Sequence, residues 1–344
     1  LTPPRQRLLT QFTSLPQGVK FLVDLRADAL RFRKEAPELA ILEADLEDIF
    51  VSWFDVGFLE LQRITWNSPA ALLEKLIAYE AVHAIESWDD LRNRLDADRR
   101  CYAFFHPRMP LEPLIFVEVA LVKGIAGNGQ PLLDQSQPVL DAKEADSAIF
   151  YSISNTQVGL RGISFGNFLI KRVVDDLSRD LPNLKQFSTL SPIPGFRKWL
   201  DEAVGKGTPD LVTADGREAL GQALGHRFSK GELPGLLKDY AWVENKPLAD
   251  ALRPVLLRLG ARYLLAVEEN GKPRDPVARF HLSNGASVHR LNWLGDRSRN
   301  GLKQAAGLMV NYLYRLDDID QNHERFVRDG TIAAAGEVGG LGDL

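Results

Sequence analysis

Apolar residues recur three and four positions apart in the first 52 residues, which is the spacing of an amphipathic helix. Three segments show this spacing: PRQRLLTQFTSL, QGVKFLVDLRADALRF and LAILEADLEDIFVSWF. None of them alternates apolar and polar residues as a half-buried strand does. We therefore predict an all-helical region over residues 1–52. It is too short to bury a good core alone, so it must pack on the rest of the chain or on another subunit.

From residue 53 onward the pattern mixes both periodicities. The segments NSPAALLEKLIAYEAVH and GNFLIKRVVDDLSRDLPN predict amphipathic helices, the first with Ser68 as N-cap and Pro69 at its first position. Short apolar runs predict strands: RRCYAFFHP, EPLIFVEVALVKGI, SAIFYSIS, LKQFSTLS and the DPVARF run before His281, which is followed by an Asn284-Gly285 turn. This order indicates an α+β domain over residues 53–344 and not a doubly wound sheet.

Composition and charge narrow the class of protein. The chain has 344 residues, 45% of them hydrophobic, and a formal net charge of −4 without any basic stripe, which disfavours a nucleic-acid partner. The longest apolar stretch, PLIFVEVALVKGIAG, carries Glu118 and Lys123 and is too short to cross a bilayer. The single cysteine, Cys101, lies in a strand pattern and is predicted to be structural. Without a partner cysteine it favours a reducing, cytoplasmic location. The first residue is Leu, which suggests a trimmed N-terminus.

Metal and nucleotide motifs are missing from the sequence. None of the six histidines forms an H-E-x-x-H pair, and a second cysteine that could join a zinc cluster is absent. The glycine patterns of the P-loop and of the dinucleotide-binding fold are absent as well. We therefore expect neither a metal nor a cofactor.

The stretch FSTLSPIPGF places Ser191 at the end of an apolar run, with Pro192, Pro194 and Gly195 after it. One interpretation is a helix start, with serine as N-cap and Pro192 at the first helical position, because RKWLDEAV downstream has a helical pattern. The other is a catalytic hydroxyl that the prolines hold in place. His281 lies next to a predicted strand end, where catalytic groups often occur.

A glycine-containing loop lies between the predicted strand SAIFYSIS and the helix that follows it. Its residues from Arg161 to Gly166 resemble the loop with which GNAT-type acetyltransferases bind the pyrophosphate of coenzyme A, except that Ser164 replaces a glycine. The same residues also match the G-x-S-x-G nucleophile elbow, with Asp210 and His281 downstream in the order of a hydrolase triad. The chain does not alternate strands and helices as an α/β-hydrolase does, so that alternative is weaker.

Five motifs in this order resemble the malonyl-CoA decarboxylase family: FFHPRMPLEPLIFVEVAL, IFYSISNTQVGLRGISFGNFLIKRVV, FSTLSPIPGFRKWL, ARFHLSNGA and GLMVNYLY. The resemblance extends from about Val56 to Leu316. It implies a helical N-terminal oligomerisation domain, here shortened, and a GNAT-like catalytic domain that binds acyl-CoA. The boundary is expected between residues 52 and 53.

The resemblance also implies a reaction and a set of residues. A carboxy-lyase of fatty acid metabolism would convert malonyl-CoA to acetyl-CoA and CO₂ without a cofactor, as a homo-oligomer, with a tetramer favoured. Ser191 would assist decarboxylation, and His281, titrating near neutrality, would protonate the enolate. We expect the two to converge from neighbouring strands. The residues implied to bind substrate and coenzyme A are Arg161, Gly162, Ile163, Ser164, Phe165, Gly166, Asn167 and Tyr314.

Two other classes of function stay open at the level of the sequence. An acyl-CoA-dependent N-acetyltransferase on the same fold would use the same loop but would need a groove for an amine substrate. A non-catalytic acyl-CoA sensor would bind the thioester without turnover. A hydrolase that uses Ser164 is the third and weakest alternative.

Overall fold

The computed structural model describes residues 3–80, 82–163, 165, 169–268 and 271–342. Two compact units divide the chain. The first consists of Leu1–Leu121, Pro138–Ala145 and Phe150–Leu184. The second consists of Val122–Gln137, Asp146–Ile149 and Lys185–Leu344. The architecture is α+β with a helical N-terminal region, as predicted. The predicted domain boundary after residue 52 lies inside the first unit and stays a prediction.

The N-terminal region consists of helices α1 (Pro4–Gln11), α2 (Gly18–Phe32) and α3 (Leu39–Trp53), with a short 3₁₀ turn after α1. The apolar positions that predicted α2 and α3 are buried, among them Val19, Leu22, Val23, Leu46, Ile49 and Phe50. Arg26 is also buried and donates to Glu43 at 2.6 Å. The helical prediction for this region is confirmed.

The sheet of the first unit begins with β1 (Glu60–Ile64), β2 (Arg99–Phe105) and β3 (Pro113–Val122), which pair antiparallel in that order. Strand β4 (Ser147–Asn155) is next to β3. Besides α1 to α3, this unit contains helices α4 (Ala70–Tyr79), α5 (Trp88–Arg94) and α7 (Leu169–Asp180). Side chains of α4 and α5 form one apolar core with side chains of β2 and β3, namely Leu72, Leu76, Leu91, Cys101, Ala103, Phe105 and Phe116.

Two local predictions in this unit had different outcomes. Cys101 is buried, and burial raises the pKa of its thiol well above the ordinary value, so the predicted structural role is confirmed. The predicted cap of α4 is wrong by one residue. Pro69 is the N-cap, and the Ser68 hydroxyl instead accepts a hydrogen bond from the Thr65 N–H at 3.0 Å.

In the second unit, strand β8 (Met309–Tyr314) pairs antiparallel with three strands: β5 (Gln186–Thr189), β6 (Ser191–Pro192) and β7 (Ser287–Asn292). Three of its helices bear on the site described below, α8 (Phe196–Gly205), α11 (Lys246–Leu265) and α12 (Pro276–Ser283). The other helices in the described part of this unit are α6 (Gln130–Leu133), α9 (Ala214–Leu224), α10 (Leu233–Leu236), α13 (Arg299–Ala305), α14 (Ile319–Asp329) and α15 (Gly336–Gly342).

The DPVARF run before His281 is a helix and not the predicted strand. It forms the start of α12, whose first residue is Pro276 and whose N-cap is Asp275. Proline at the first position and aspartate as N-cap are start signals of a helix. Ala278 and Leu282, four residues apart, are buried, so the apolar period is that of a helix. The turn at Gly285 is confirmed, with a positive φ of 84°.

Candidate active site

Ser191 lies on a short strand and not at a helix start. It pairs with Val310 of β8, and α8 begins only at Phe196, with Gly195 as N-cap. The capping interpretation of Ser191 is therefore wrong. Leu190 separates β5 from β6, and Pro192 follows directly, so the backbone on both sides of the hydroxyl is constrained by pairing and by proline geometry. The Ser191 side chain is buried.

His281 comes to Ser191 from helix α12. Its Nε2 atom lies 3.3 Å from Ser191 Oγ, although 90 residues separate the two in the chain. Its Nδ1 atom lies 2.7 Å from the hydroxyl of Tyr314, the last residue of β8. The imidazole also stacks on the Tyr312 ring, with centroids 4.6 Å apart. Ser191, His281 and Tyr314, three of the residues predicted from the sequence, thus form one hydrogen-bonded group within the second unit.

The direction of the hydrogen bonds assigns the histidine tautomer. The Ser191 hydroxyl donates to Thr189 Oγ1 at 2.9 Å, so its single proton is used there. Its oxygen must then accept from His281, which places the imidazole proton on Nε2. Nδ1 is consequently the acceptor of the Tyr314 O–H. The chain of donors runs from Tyr314 through His281 and Ser191 to Thr189.

The imidazole of His281 is neutral at physiological pH. It is 2% exposed, and burial lowers its pKa to about 3, because the surroundings do not solvate a positive charge. The prediction of a histidine that titrates near neutrality is therefore wrong. Burial also raises the pKa of Tyr314 well above its ordinary value, so the phenol keeps its proton. The site contains neutral donors only.

This depressed pKa predicts a pH dependence of stability. Because the unfolded chain binds the histidine proton more tightly, the neutral His281 contributes stability above pH 6.5, and this contribution is lost as the pH falls toward 3. Between pH 7 and pH 5, the free energy of unfolding should fall by about 2 kcal/mol less in His281→Asn than in the wild type. Urea unfolding at both pH values measures it.

Two other titrating side chains, Glu118 and His226, affect how the unfolding measurement is designed. Glu118 acts oppositely in the same window, since burial and the nearby Glu80 raise its pKa to about 7, and its contribution to stability falls as the pH rises from 4.5 to 7. The comparison must therefore be made between variants, and not on the wild type alone. His226→Asn should act in the opposite direction: the hydrogen bond to Glu232 raises the pKa of His226, so without this ring the free energy of unfolding falls more between pH 7 and pH 5 than in the wild type. Equal losses in the wild type and His281→Asn would contradict the depressed pKa.

The loop that resembles a coenzyme A loop lies in the first unit and is partly described. Arg161 and Gly162 are exposed, whereas Ile163 and Phe165 are buried and anchor the loop. Gly162 has a positive φ of 84°, a conformation that glycine adopts without strain. Ser164, Gly166 and Asn167 lie outside the described residues, so the predictions on them stay predictions.

Helix α2 fixes the start of this loop. The buried Arg26 guanidinium donates to the carbonyl oxygens of Gly159 and Arg161, at 2.8 and 2.9 Å. A Cβ on Gly159 would lie only 1.8 Å from the Val23 carbonyl oxygen, so glycine is needed for this close approach. Gly159 thus has a packing function, and the exposed Arg161 side chain extends from a fixed backbone.

Two further residues, Thr189 and Tyr312, belong to the site and were not predicted from the sequence. Thr189 orients the Ser191 hydroxyl and also accepts the Tyr312 N–H at 3.0 Å, and Tyr312 covers one face of the imidazole. Both lie two residues from a predicted site residue, Thr189 before Ser191 and Tyr312 before Tyr314. Side chains two apart on a strand share a face, and this period was the available signal.

The described residues contain neither a metal-binding cluster nor a membrane-spanning helix. No group of three or more His, Cys, Asp or Glu side chains there is placed to hold a metal ion. Among the helices of those residues, none is long and apolar enough to cross a membrane.

Comparison with known proteins gives consistent matches over almost the whole chain. Residues 57–341 match the malonyl-CoA decarboxylase C-terminal domain, and residues 1–54 match the malonyl-CoA decarboxylase N-terminal domain. The chain is 39% identical over 349 residues to the mitochondrial malonyl-CoA decarboxylase of Anser anser anser, covering 98% of this chain and 69% of that protein. The mitochondrial enzyme of Rattus norvegicus is also 39% identical, with 98% and 71% covered.

Solved structures give the same result. The crystal structure of malonyl-CoA decarboxylase from Rhodopseudomonas palustris matches with a TM-score of 0.88 and 50% identity, covering 99% of this chain and 80% of that chain. The structure of malonyl-CoA decarboxylase from Cupriavidus metallidurans matches with a TM-score of 0.83 and 49% identity, covering 98% and 82%.

Proposed function

This chain belongs to the malonyl-CoA decarboxylase family of carboxy-lyases, and on that premise we propose that Ser191 and His281 convert malonyl-CoA to acetyl-CoA and CO₂. The observation that carries the proposal is the hydrogen bond between Ser191 Oγ and His281 Nε2, in a buried group that ends at Tyr314. We also propose the division into a helical region, residues 1–52, and a catalytic domain, residues 53–344.

The first step breaks the bond between the α-carbon and the carboxylate. Its electron pair moves into the thioester carbonyl and gives an enolate, while the carboxylate leaves as CO₂. The Ser191 hydroxyl turns from Thr189 toward the substrate, where it donates either to the carboxylate or to the thioester oxygen. A donor at the developing oxyanion stabilises the transition state, and a dry site does not solvate the carboxylate. The thioester itself accepts the electrons, so this step does not need a cofactor.

The second step protonates the enolate carbon. A thioester enolate is a stronger base than imidazolate, so the neutral His281 can give up its Nε2 proton. Tyr314 then donates its proton to Nδ1, which keeps the imidazole neutral. A solvent proton afterwards binds Nε2 while the Nδ1 proton returns to the Tyr314 oxygen, so both groups regain their starting protonation. The reaction consumes one proton overall. The depressed pKa of His281 is compatible with this scheme, because the donor is the neutral ring at every step.

The contact of His281 favours this proposal over the hydrolase that the sequence left open. A hydrolase would need His281 as a base for Ser164, whereas both ring nitrogens are engaged by Ser191 and Tyr314. An N-acetyltransferase would transfer radiolabelled acetyl from acetyl-CoA to an amine. A sensor would bind malonyl-CoA without turnover.

The proposed activity is tested with the purified chain and malonyl-CoA in a coupled assay for acetyl-CoA, with and without EDTA. We expect one acetyl-CoA for each malonyl-CoA consumed, at the same rate in both conditions. Acetyl transfer to an amine, or binding without turnover, would contradict the proposed function. Activity that disappears with EDTA and returns with zinc would contradict the metal-free mechanism.

We propose that the loop from Arg161 to Asn167 binds the pyrophosphate of coenzyme A, with Arg161 supplying a positive charge. Its side chain is exposed and its backbone is fixed by Arg26. We expect Arg161→Glu to raise KM for malonyl-CoA at least tenfold with little change in kcat, because a phosphate contact is uniform binding energy. Steady-state kinetics measure both.

The control for this variant is Arg179→Glu, the same change at an exposed arginine of the first unit. It should leave KM unchanged. If Arg161→Glu lowered kcat and left KM unchanged, the loop would take part in the chemistry, and the nucleophile elbow at Ser164 would regain support.

We propose that the helical region makes part of a homo-oligomer, with a tetramer favoured. In its described part, six large apolar side chains are exposed, at Leu8, Leu15, Phe21, Phe32, Ile41 and Val51. Light scattering at micromolar concentration should give a multiple of 38.4 kDa, and Ile41→Glu with Val51→Glu should lower it. A clean wild-type monomer would contradict the proposal.

The predicted cytoplasmic location stays a prediction, because the curated relatives are mitochondrial by name.

A further inference from the structure

Asp275 is a fully buried carboxylate at the start of the helix that carries His281. Its Oδ1 atom accepts hydrogen bonds from the N–H groups of Val277 and Ala278, each at 2.9 Å. These are two of the backbone donors that the first turn of a helix leaves without an intrahelical partner. Asp275 therefore fixes where α12 begins, and with it the position of the His281 backbone six residues later.

The same carboxylate also faces the segment that follows Ser191. The Tyr263 hydroxyl and the Gly195 N–H lie close enough to lower the pKa of Asp275 as donors, against the larger effect of burial, which raises it. Its Oδ2 atom makes no hydrogen bond of ordinary geometry within the described part of the chain. A Cβ on Gly195 would lie 2.1 Å from Tyr263 Oη, so glycine at this position makes room for the phenol.

Capping alone does not explain this arrangement. Asp239 performs the same function at the 3₁₀ helix Tyr240–Val243, where it accepts the Ala241 N–H while remaining exposed. Burying a carboxylate is costly unless donors surround it, and an exposed cap avoids that cost. What Asp275 has in addition is complete burial, with the Tyr263 hydroxyl and the Gly195 N–H, four residues after Ser191, near enough to lower its pKa.

We propose that Asp275 is a positioning residue that holds His281 Nε2 within hydrogen-bond distance of Ser191 Oγ. It acts through the first turn of α12 on one side and through Tyr263 and Gly195 on the other. The inference rests on the proposed function, in which these two atoms act together. A displacement of reacting groups by about 1 Å can lower the rate roughly 100-fold, so a small shift of α12 would lower kcat.

The test is Asp275→Asn. Its amide oxygen still accepts from Val277 and Ala278, but its NH₂ group faces the Tyr263 and Gly195 donors with no lone pair to offer. We expect kcat to fall roughly 10- to 100-fold with KM within twofold of the wild type. Tyr263→Phe, which removes one donor and keeps the ring, should lower kcat in the same direction. Asp239→Asn, the same change at an exposed cap, should leave kcat unchanged.

Several outcomes would overturn the inference. They are an unchanged kcat in Asp275→Asn, a change in KM alone, or an equal effect of Asp239→Asn. If Asp275→Asn does not fold, Tyr263→Phe decides, and a wild-type kcat in that variant rejects the inference. A crystal structure of the variant gives a readout independent of activity, with Ser191 Oγ and His281 Nε2 expected to lie beyond hydrogen-bond distance. An inactive wild type would reject the proposed function, whereas an unchanged separation of these atoms would reject the positioning role.

Discussion

His281→Asn should lower kcat for malonyl-CoA decarboxylation by roughly two to four orders of magnitude, the range for loss of a general acid. Asparagine fills part of the imidazole volume but cannot pass a proton from Tyr314 to the substrate. KM should change little, because the proton transfer contributes only in the transition state. Steady-state kinetics, with circular dichroism to confirm folding, measure the effect.

The matched control is His226→Asn. This imidazole is exposed and contacts Glu232 at 2.8 Å in the same unit, so the change tests histidine loss away from the site. It should retain wild-type kinetics. A His281→Asn enzyme with near-wild-type kcat would remove the proton donor from the mechanism.

Ser191→Ala should lower kcat by roughly two to three orders of magnitude, as expected when one donor to a developing oxyanion is removed. The variant leaves His281 Nε2–H without its acceptor and the substrate without the hydroxyl. Ser188→Ala is a close control, because Ser188 is also buried, on β5, and donates to the Tyr312 carbonyl at 3.2 Å. That control should lose some stability and keep kcat.

A Ser191→Ala enzyme that raised KM and kept kcat would indicate that the hydroxyl binds the ground state only. The assignment of Ser191 to the transition state would then be wrong, although its contact with His281 would stand.

The position of Ser191 could be read from the sequence because the restraints are local. A proline immediately after the serine, a second two residues later and a glycine before a helical pattern limit the backbone whatever surrounds it. The family resemblance then selected Ser191, His281 and Tyr314 from among many serines, histidines and tyrosines. That these three form one hydrogen-bonded group is a fact of the structure that spacing along the chain could not establish.

The secondary structure around His281 could have been predicted better than it was. The six residues of DPVARF are too few for the apolar period to distinguish a strand from one and a half turns of helix. The Asp275-Pro276 pair was the decisive signal, because both residue types are favoured at a helix start.

The electrostatics of His281 could not be predicted from the sequence. Its low pKa results from complete burial beneath Tyr312, which comes from a strand that is distant in the chain. Gly159 is a similar case. Its lack of a side chain is required by the close approach of α2. Both properties depend on which segments meet, and periodicity does not contain that information.

A double-mutant cycle on kcat shows whether Ser191 and His281 act as one unit on malonyl-CoA. Residues that act as a unit give effects that are far from additive. We expect Ser191→Ala combined with His281→Asn to lower kcat little more than the more damaging single variant. A double variant whose loss in kcat equals the product of the two single losses would show that the residues act independently, against the proposed mechanism.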